Sequence, residues 1–190
     1  MINEKDMQKK LREQQEQILE LTEELEKSNQ GVVALTMELE RARERYENIF
    51  ENSVLGIYQT NKDNRFEMAN PKMANILGYD TPEELIKEVK DVDVEIYLNE
   101  KDRQFFKKIM ETRGSVSDFE TRISTKQGDV RWILENSRIL KDRHGRFAGY
   151  EGMVQDITKR KRIEELERKN SQLREMNLKL ENSRKKYREA

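Results

Sequence analysis

The dominant feature of this sequence is a ladder of apolar side chains that repeats every seven residues through positions 1–49. The steps alternate between three and four residues, which is the spacing that lets two helices bury a shared seam. The a positions hold Leu11, Ile18, Leu25, Val32, Leu39 and Tyr46, and the apolar d positions include Met7, Leu21, Leu35 and Ile49. Six sustained heptads predict a long helix that pairs with a second copy as a coiled coil. One amphipathic helix packed on its own domain is the alternative, but helices in globular domains usually run about 8–20 residues.

A second heptad series runs through the C-terminal segment, residues 159–190. Its d positions hold Leu166, Leu173, Leu180 and Tyr187, whereas its a positions hold Ile163, Asn170, Asn177 and Arg184. Asn at an a position weakens a coiled coil but selects register and two strands, because each amide can face its copy across the seam. The alternative is that both asparagines lie on a solvated face. The two series predict a parallel homodimer whose contacts are Leu11, Ile18, Leu21, Leu25, Val32, Leu35, Leu39, Ile163, Leu166, Asn170, Leu173, Asn177 and Leu180.

Residues 50–158, between the two series, have a different composition, with seven of the eight glycines, both prolines and the single tryptophan. Asn70, Thr81 and Asn99 each precede a short helical pattern and are predicted N-caps, and Glu84 completes a capping box. Alternating apolar runs bounded by turn residues predict strands at residues 55–60, 65–69, 116–125, 130–140 and 146–157. Two strands, several short helices and a three-stranded meander predict an α+β domain with an antiparallel sheet.

Four stretches in and beside this segment carry a family resemblance. Residues 46–53 resemble the helix that leads into the domain, and residues 69–79 resemble the family's strand-to-helix signature. Residues 128–133 resemble its Gly turn and Trp-bearing strand, and residues 149–158 end in an Asp-Ile-Thr triplet. As a set they resemble a PAS domain with its C-terminal PAC portion. The resemblance implies the PAS fold, a five-stranded antiparallel sheet in the order 2-1-5-4-3 with short helices over one face, here between two long coiled-coil helices.

The same resemblance implies a non-catalytic sensory module, as in prokaryotic sensor histidine kinases and related signalling proteins. Residues 25–35 also resemble the connector helices of bacterial and archaeal phosphorelay proteins. We expect a signal in the core to alter the last strand, and Asp156, Ile157 and Thr158 to relay the change to the C-terminal helix and an output domain. Asp156 or Thr158 is a predicted cap of that helix, and the family implies a salt bridge from Asp156 to a basic residue. A passive dimerisation scaffold is the alternative function.

PAS domains often hold a ligand, so the large apolar and aromatic side chains of the predicted core are candidates for a pocket wall, although ordinary packing is the simpler interpretation of each. They are Phe66, Met68, Met73, Ile76, Leu77, Phe105, Phe119, Trp132, Leu134 and Met153. Haem needs an axial ligand that points at the iron from inside a pocket. The only histidine, His144, falls in a predicted turn, so haem is not expected. Cysteine is absent, which excludes a covalent flavin adduct and Cys-based zinc sites. The sequence is compatible with a noncovalent small ligand, and no metal site is predicted.

Catalysis, nucleic acid and membranes are not indicated. Neither a phosphoacceptor histidine on a paired helix nor a Gly-rich nucleotide loop occurs in the sequence, so we predict no enzyme activity. Residues 159–162 (KRKR) precede the leucine ladder as in basic-zipper DNA-binding proteins, but those proteins need a long continuous basic helix. The 37 basic and 38 acidic residues balance, which gives no overall attraction to nucleic acid. No apolar run approaches the roughly 20 residues that span a bilayer, and the expected location is the cytoplasm.

A weak internal repeat suggests a longer parent protein. Residues 43–47 (RERYE) resemble residues 184–189 (RKKYRE), and each stretch ends a heptad ladder. Because the first stretch leads into the PAS-like segment, we expect the second to lead into another domain of a sensor kinase or similar protein. Chance similarity between two charged helix ends is the alternative.

Overall fold

The computed structural model describes residues 4–188, with side chains over residues 9–181 and at Met7 and Arg184. The predicted ladder position Tyr187 and most of the second copy of the weak repeat therefore lie outside the described side chains. The chain divides into two compact units, of which the first ends at Ile49 and the second begins at Phe50.

The long N-terminal helix is confirmed. Helix α1 spans Glu4–Glu51, and its backbone runs without a break through Gly31. The predicted apolar a and d side chains are exposed in the single chain, from Leu11 at 56% to Ile49 at 71%. A long exposed apolar stripe is unusual on a monomer, but pairing into a coiled coil stays a prediction.

Four short helices precede the three long strands. They are α2 (Pro71–Leu77), α3 (Pro82–Glu88), α4 (Val92–Glu95) and α5 (Glu100–Arg113). The three predicted caps are confirmed, because the side chains of Asn70, Thr81 and Asn99 each accept a backbone N–H from the first turn. Gly78 ends α2 at a φ of 81°, a left-handed conformation that favours glycine. Helix α4 was not predicted, since four residues are too few to show apolar periodicity.

The sheet has five antiparallel strands in the order β2-β1-β5-β4-β3, which confirms the predicted α+β fold and strand order. The strands are β1 (Gly56–Thr60), β2 (Phe66–Ala69), β3 (Ser115–Ser124), β4 (Val130–Lys141) and β5 (Phe147–Asp156). Strand β5 lies between β1 and β4, so the last strand of the domain is central in the sheet. Helix α6 (Thr158–Arg188) begins two residues after β5 ends.

The core lies between one face of the sheet and the short helices. Helix α2 packs on β1, α3 on β2 and α5 on β3. The large, fully buried apolar side chains of the core come from both the helices and the sheet, namely Ile76, Leu77, Leu85, Val89, Phe106, Met110, Ile123 and Val154. A site inside the domain therefore lies on this inner face of the sheet. Alternate strand residues point away from it, to the outer face.

Candidate functional site

A small cavity lies in the core between the sheet and the helices, with a volume of about 20 Å³. Its wall is mostly apolar and aromatic, but it includes one carboxylate and one guanidinium. The lining residues are Tyr58, Thr60, Phe66, Met73, Leu77, Val92, Ile96, Tyr97, Arg103, Ile123, Ile133, Glu135, Tyr150 and Val154. This volume is room for about one water molecule.

Glu135 is the most unusual residue of the cavity, since its carboxylate is buried at 1% exposure in the middle of β4. It accepts hydrogen bonds from the hydroxyls of Tyr58, Tyr97 (2.6 Å) and Ser137 (2.8 Å). Burial, and then the negative charge of Glu135, raise the pKa of both tyrosines well above its ordinary value, so both phenols remain donors. Three hydroxyl donors replace much of the hydration that a buried carboxylate loses.

Arg103, on α5, connects this centre to the surface. Its guanidinium is 5% exposed and lies over the rings of Tyr97 and Phe106, at 4.5 and 4.6 Å from their centroids. Its Nη1 donates to the Tyr97 hydroxyl at 3.2 Å, and its Nε donates to Asp93 at 2.5 Å. Asp93 also pairs with Lys107, which is more exposed. A continuous set of polar contacts thus runs from Glu135 to the protein surface.

The cavity does not fit a large cofactor in this state. Sites for drug-sized ligands usually have volumes of about 300–1,000 Å³, far above the 20 Å³ found here. A flavin or haem would need the wall to rearrange. In the described part of the chain, every buried polar side-chain atom has a hydrogen-bond partner, so the network is complete without one.

The structure brings only three of the ten pocket candidates to the cavity, namely Phe66, Met73 and Leu77. Ile76 is fully buried elsewhere in the core, and Phe119 packs against Phe106 with ring centroids 5.6 Å apart. Phe105 is 58% exposed, and its ring centroid lies 6.3 Å from that of Phe119.

The remaining four candidates lie on strands. Met68 is half-buried on β2 and does not line the cavity. Trp132, Leu134 and Met153 point to the outer face of the sheet, because their neighbours Ile133, Glu135 and Val154 point inward. The sequence interpretation missed Glu135, Arg103, Tyr58, Tyr97 and Tyr150, which no local sequence pattern assigns to one site.

The predicted relay residues lie where β5 passes into α6. The Asp156 carboxylate accepts the backbone N–H of Thr158 at 2.8 Å, and the Thr158 hydroxyl accepts the backbone N–H of Trp132 at 2.9 Å. Ile157 is buried, and its N–H donates to the carbonyl of Trp132 at 2.9 Å. The exit segment is therefore held along the start of β4 by backbone and side-chain hydrogen bonds.

The basic residue beside Asp156 is Arg131, with Nη1 3.9 Å from the carboxylate. The same Nη1 donates to the carbonyls of Asn75 and Ile76, at 2.8 and 3.0 Å, in the last turn of α2. Arg131 therefore lies against both a helix that lines the cavity and Asp156, the last residue of β5.

Other predicted features are placed as follows. His144 is exposed in the turn between β4 and β5, where its backbone N–H donates to the Asp142 carboxylate. Over the described residues, no group of three or more potential ligand side chains is arranged to hold a metal ion. Between residues 4 and 188, no helix combines the length and apolarity needed to cross a membrane.

Comparison with known proteins identifies one family. The family model described as the PAS fold matches residues 44–157. The sensor histidine kinase TmoS of Ectopseudomonas mendocina is 24% identical over 163 residues, which cover 84% of this chain and 16% of that protein. The chain thus spans about one sixth of the length of this curated relative.

Solved structures show the same fold. The PAS domain of a Colwellia psychrerythraea protein has a TM-score of 0.53 at 19% identity, over 62% of this chain and 98% of that one. A sensory box histidine kinase/response regulator from Burkholderia thailandensis has a TM-score of 0.50 at 25% identity, over 69% and 98%. An RNA-binding light-oxygen-voltage receptor has a TM-score of 0.53 at 19% identity, over 73% and 38%.

Proposed function

This chain belongs to the PAS family, and we propose that it is a sensory module that relays a change in its core to a neighbouring signalling domain through α6. Similarity to a sensor histidine kinase supports this class of function. The observation that carries the proposal is the double contact of Arg131, which joins α2 to Asp156.

The first step of the relay is a movement of α2. Met73 and Leu77 line the cavity, so a change in the hydrogen bonds around Glu135 changes the surface on which this helix packs. The carbonyls of Asn75 and Ile76 carry that movement to the guanidinium of Arg131.

The second step passes from Arg131 to the exit. Arg131 and Asp156 are each 30% exposed, and such partly exposed pairs add little stability, typically about 0–1 kcal/mol. Their contribution is orientation, since Asp156 also fixes the N–H of Thr158 at the start of α6. A small displacement of Arg131 therefore changes the direction in which α6 leaves the sheet.

The module works as a parallel homodimer. Among the described side chains, the apolar a and d residues of α1 and α6 are exposed in the single chain, and a second copy offers each of them an identical partner. Asn170 and Asn177 at a positions favour two strands in register. Rotation of α6 in the dimer then changes the packing of the paired helices and reaches the output domain.

The output is a kinase or related phosphorelay domain outside these residues, and this chain is itself non-catalytic. The module lies in the cytoplasm. The signal acts on the contacts between Glu135, Tyr97 and Arg103, and a noncovalent ligand larger than water would bind only with movement of the cavity wall.

A passive dimerisation scaffold is the second candidate. The small cavity and the completed hydrogen bonds around Glu135 favour it, because a core that is already closed and satisfied has little reason to respond to a ligand. The two functions differ in whether Arg131 affects the output.

The test is a chimera in which residue 190 is joined to the phosphoacceptor and ATP-binding domains of a sensor histidine kinase. Arg131→Gln should change basal autophosphorylation by about fivefold or more, the lower range of ordinary allosteric coupling. Arg138→Gln is the matched control, since Arg138 lies on the same strand and pairs on the outer face with Glu151. Equal autophosphorylation in the parent and both variants, with the dimer intact, would favour the scaffold.

A further inference from the structure

The first turn of α6 carries an unusual concentration of positive charge. Residues 159–162 are all Lys or Arg, and the turn contains no acidic residue. The N-terminus of a helix carries a partial positive charge, so cations there are unfavourable and acids are favourable. Within the helix, Glu164 approaches Arg160 Nε at 3.6 Å and Lys161 Nζ at 3.4 Å, so closer ionic contacts have to come from another element.

Glu120 of β3 supplies these contacts. Arg160 Nη2 donates to one carboxylate oxygen, and Lys161 Nζ lies 2.5 Å from the other. The hydrogen bond to Glu120 is the main reason that the pKa of Lys161 is raised. Lys161 also lies over the ring of Trp132, with Nζ 5.6 Å from its centroid. Both oxygens of one strand carboxylate are thus engaged by one helical turn.

Strand β3 is in turn connected to the core on either side of Glu120. Phe119 packs against Phe106, and the Thr121 hydroxyl donates to Asp102 of α5 at 3.1 Å. Ile123, further along the strand, lines the cavity. A shift of α5 or of the cavity wall therefore moves the carboxylate that holds α6.

We propose that Glu120 is a positioning residue, whose ionic clasp on Arg160 and Lys161 holds the first turn of α6 on the sheet and gives the exit helix a second connection to the core. The contacts of the clasp lie within one copy of the chain and need neither a second copy nor an output domain. Its part in signalling rests on the proposed sensory function, and it acts beside the contact between Arg131 and Asp156.

Hydrogen exchange of the 190-residue chain tests the clasp without any signal. The amide of Lys161 bonds to the carbonyl of Ile157 and reports on this turn. Glu120→Gln keeps the side chain's size and removes its charge, and should speed exchange at residues 161–165 by about two- to fivefold, as expected for a small network of exposed ion pairs. Glu151→Gln is the control, because Glu151 pairs on the same face with Arg138, away from α6.

Salt and charge reversal separate an ionic clasp from mere packing. In about 1 M NaCl, where charges are screened within about 3 Å, the parent should exchange as fast as the Glu120→Gln variant. Glu120→Lys should exchange faster still, and adding Arg160→Glu and Lys161→Glu should restore slow exchange. Unchanged exchange in Glu120→Gln, or no rescue by the reversed pair, would overturn the clasp.

The kinase chimera tests the signalling part separately. Glu120→Gln should change basal autophosphorylation by about fivefold, with Glu151→Gln equal to the parent. A normal output in Glu120→Gln, together with fast exchange, would overturn the positioning role. If Arg131→Gln also leaves the output unchanged, the sensory function itself fails, whereas the exchange result still decides whether the clasp exists.

Discussion

At the scale of single residues, the core depends on how it accommodates Glu135. A buried carboxylate is tolerated only where hydrogen bonds replace its lost hydration, and Tyr58, Tyr97 and Ser137 provide those bonds. The hydroxyls depend on Glu135 equally, because each is buried or half-buried. The group is stable as a set and weakened by the loss of any member.

The first prediction is that Glu135→Leu lowers the free energy of unfolding by roughly 2–4 kcal/mol, because the replacement has similar bulk and leaves the hydroxyls without their acceptor. Glu135→Gln should lose less, since the amide oxygen still accepts. Urea denaturation followed by circular dichroism measures both. Glu67→Leu, at an exposed strand position, should change stability by no more than about 0.5 kcal/mol. Parent-like stability in Glu135→Leu would show that the network does not stabilise the fold.

The second prediction concerns Asp156. Asp156→Ala removes the acceptor of the Thr158 N–H and the carboxylate beside Arg131, at a stability cost of about 1 kcal/mol, as for a helix cap. The dimer should persist in light scattering, while the kinase chimera should lock in one activity state. Asp63→Ala, in the exposed turn between β1 and β2, is the control. A normal signal response in Asp156→Ala would reduce this residue to a dispensable cap.

At the scale of elements, strand β4 is where the core and the exit meet. Its inward residues Ile133 and Glu135 line the cavity, and its first residues hold both α2 and the start of α6. The sequence predicted this strand and its neighbours to within about two residues, because Gly128 and Gly145 mark the turns.

The facing of β4 was harder to predict than its position. Trp132, Ile133 and Leu134 form one continuous apolar run, so apolarity alone does not distinguish the inner from the outer face. The inward residue that decides the matter, Glu135, is one that a hydrophobic pattern assigns to solvent. Its partner Tyr58 lies 77 residues earlier in the chain, a contact that no local pattern encodes. The caps were predictable because each depends on residues three or fewer positions away.

The third prediction is that the phase of α6 carries the signal. Each residue turns a helix by about 100°, whereas seven residues nearly restore the same face. In the kinase chimera, one or two residues inserted after Leu166 should alter or invert the output, because Leu173 and Leu180 lose alignment with the strand that drives them. A seven-residue insertion keeps the alignment and should regulate nearly normally. Normal regulation in all three insertions is the result expected of a flexible tether, and it would contradict the relay.

At the scale of the whole molecule, the exposed apolar ladders need a partner surface that covers them. Burying one Leu- or Ile-sized side chain contributes roughly 1.5–3 kcal/mol, and α1 alone exposes a ladder from Met7 to Ile49. Association costs about 4–15 kcal/mol, so pairing of such ladders is favourable even when burial is incomplete. The sequence predicted the helices that carry the ladders, but a single chain does not reveal the partner that covers them.

The fourth prediction is a homodimer in solution. The chain mass is 22.8 kDa, and light scattering at micromolar concentration should give about twice that value. Ile18→Lys together with Leu25→Lys places charges in the predicted seam and should shift the equilibrium toward monomer. Gln30→Lys, at a predicted f position on the solvated side, should leave the dimer unchanged. A monomeric parent chain would contradict the architecture.

Orientation can be tested separately, because the chain has no cysteine and a single introduced one gives an unambiguous signal. In a parallel dimer, identical a positions face each other across the seam, so Leu11→Cys should form an intermolecular disulfide on mild oxidation. A spin label on the same cysteine should give a short distance between copies. In an antiparallel dimer, the two copies of residue 11 would lie near opposite ends of helices that rise about 1.5 Å per residue. Crosslinking would then fail, and the labels would be several tens of ångströms apart. Because a relay through helix phase requires both copies of α6 to leave their sheets in the same direction, that result would contradict the relay as well as the parallel dimer.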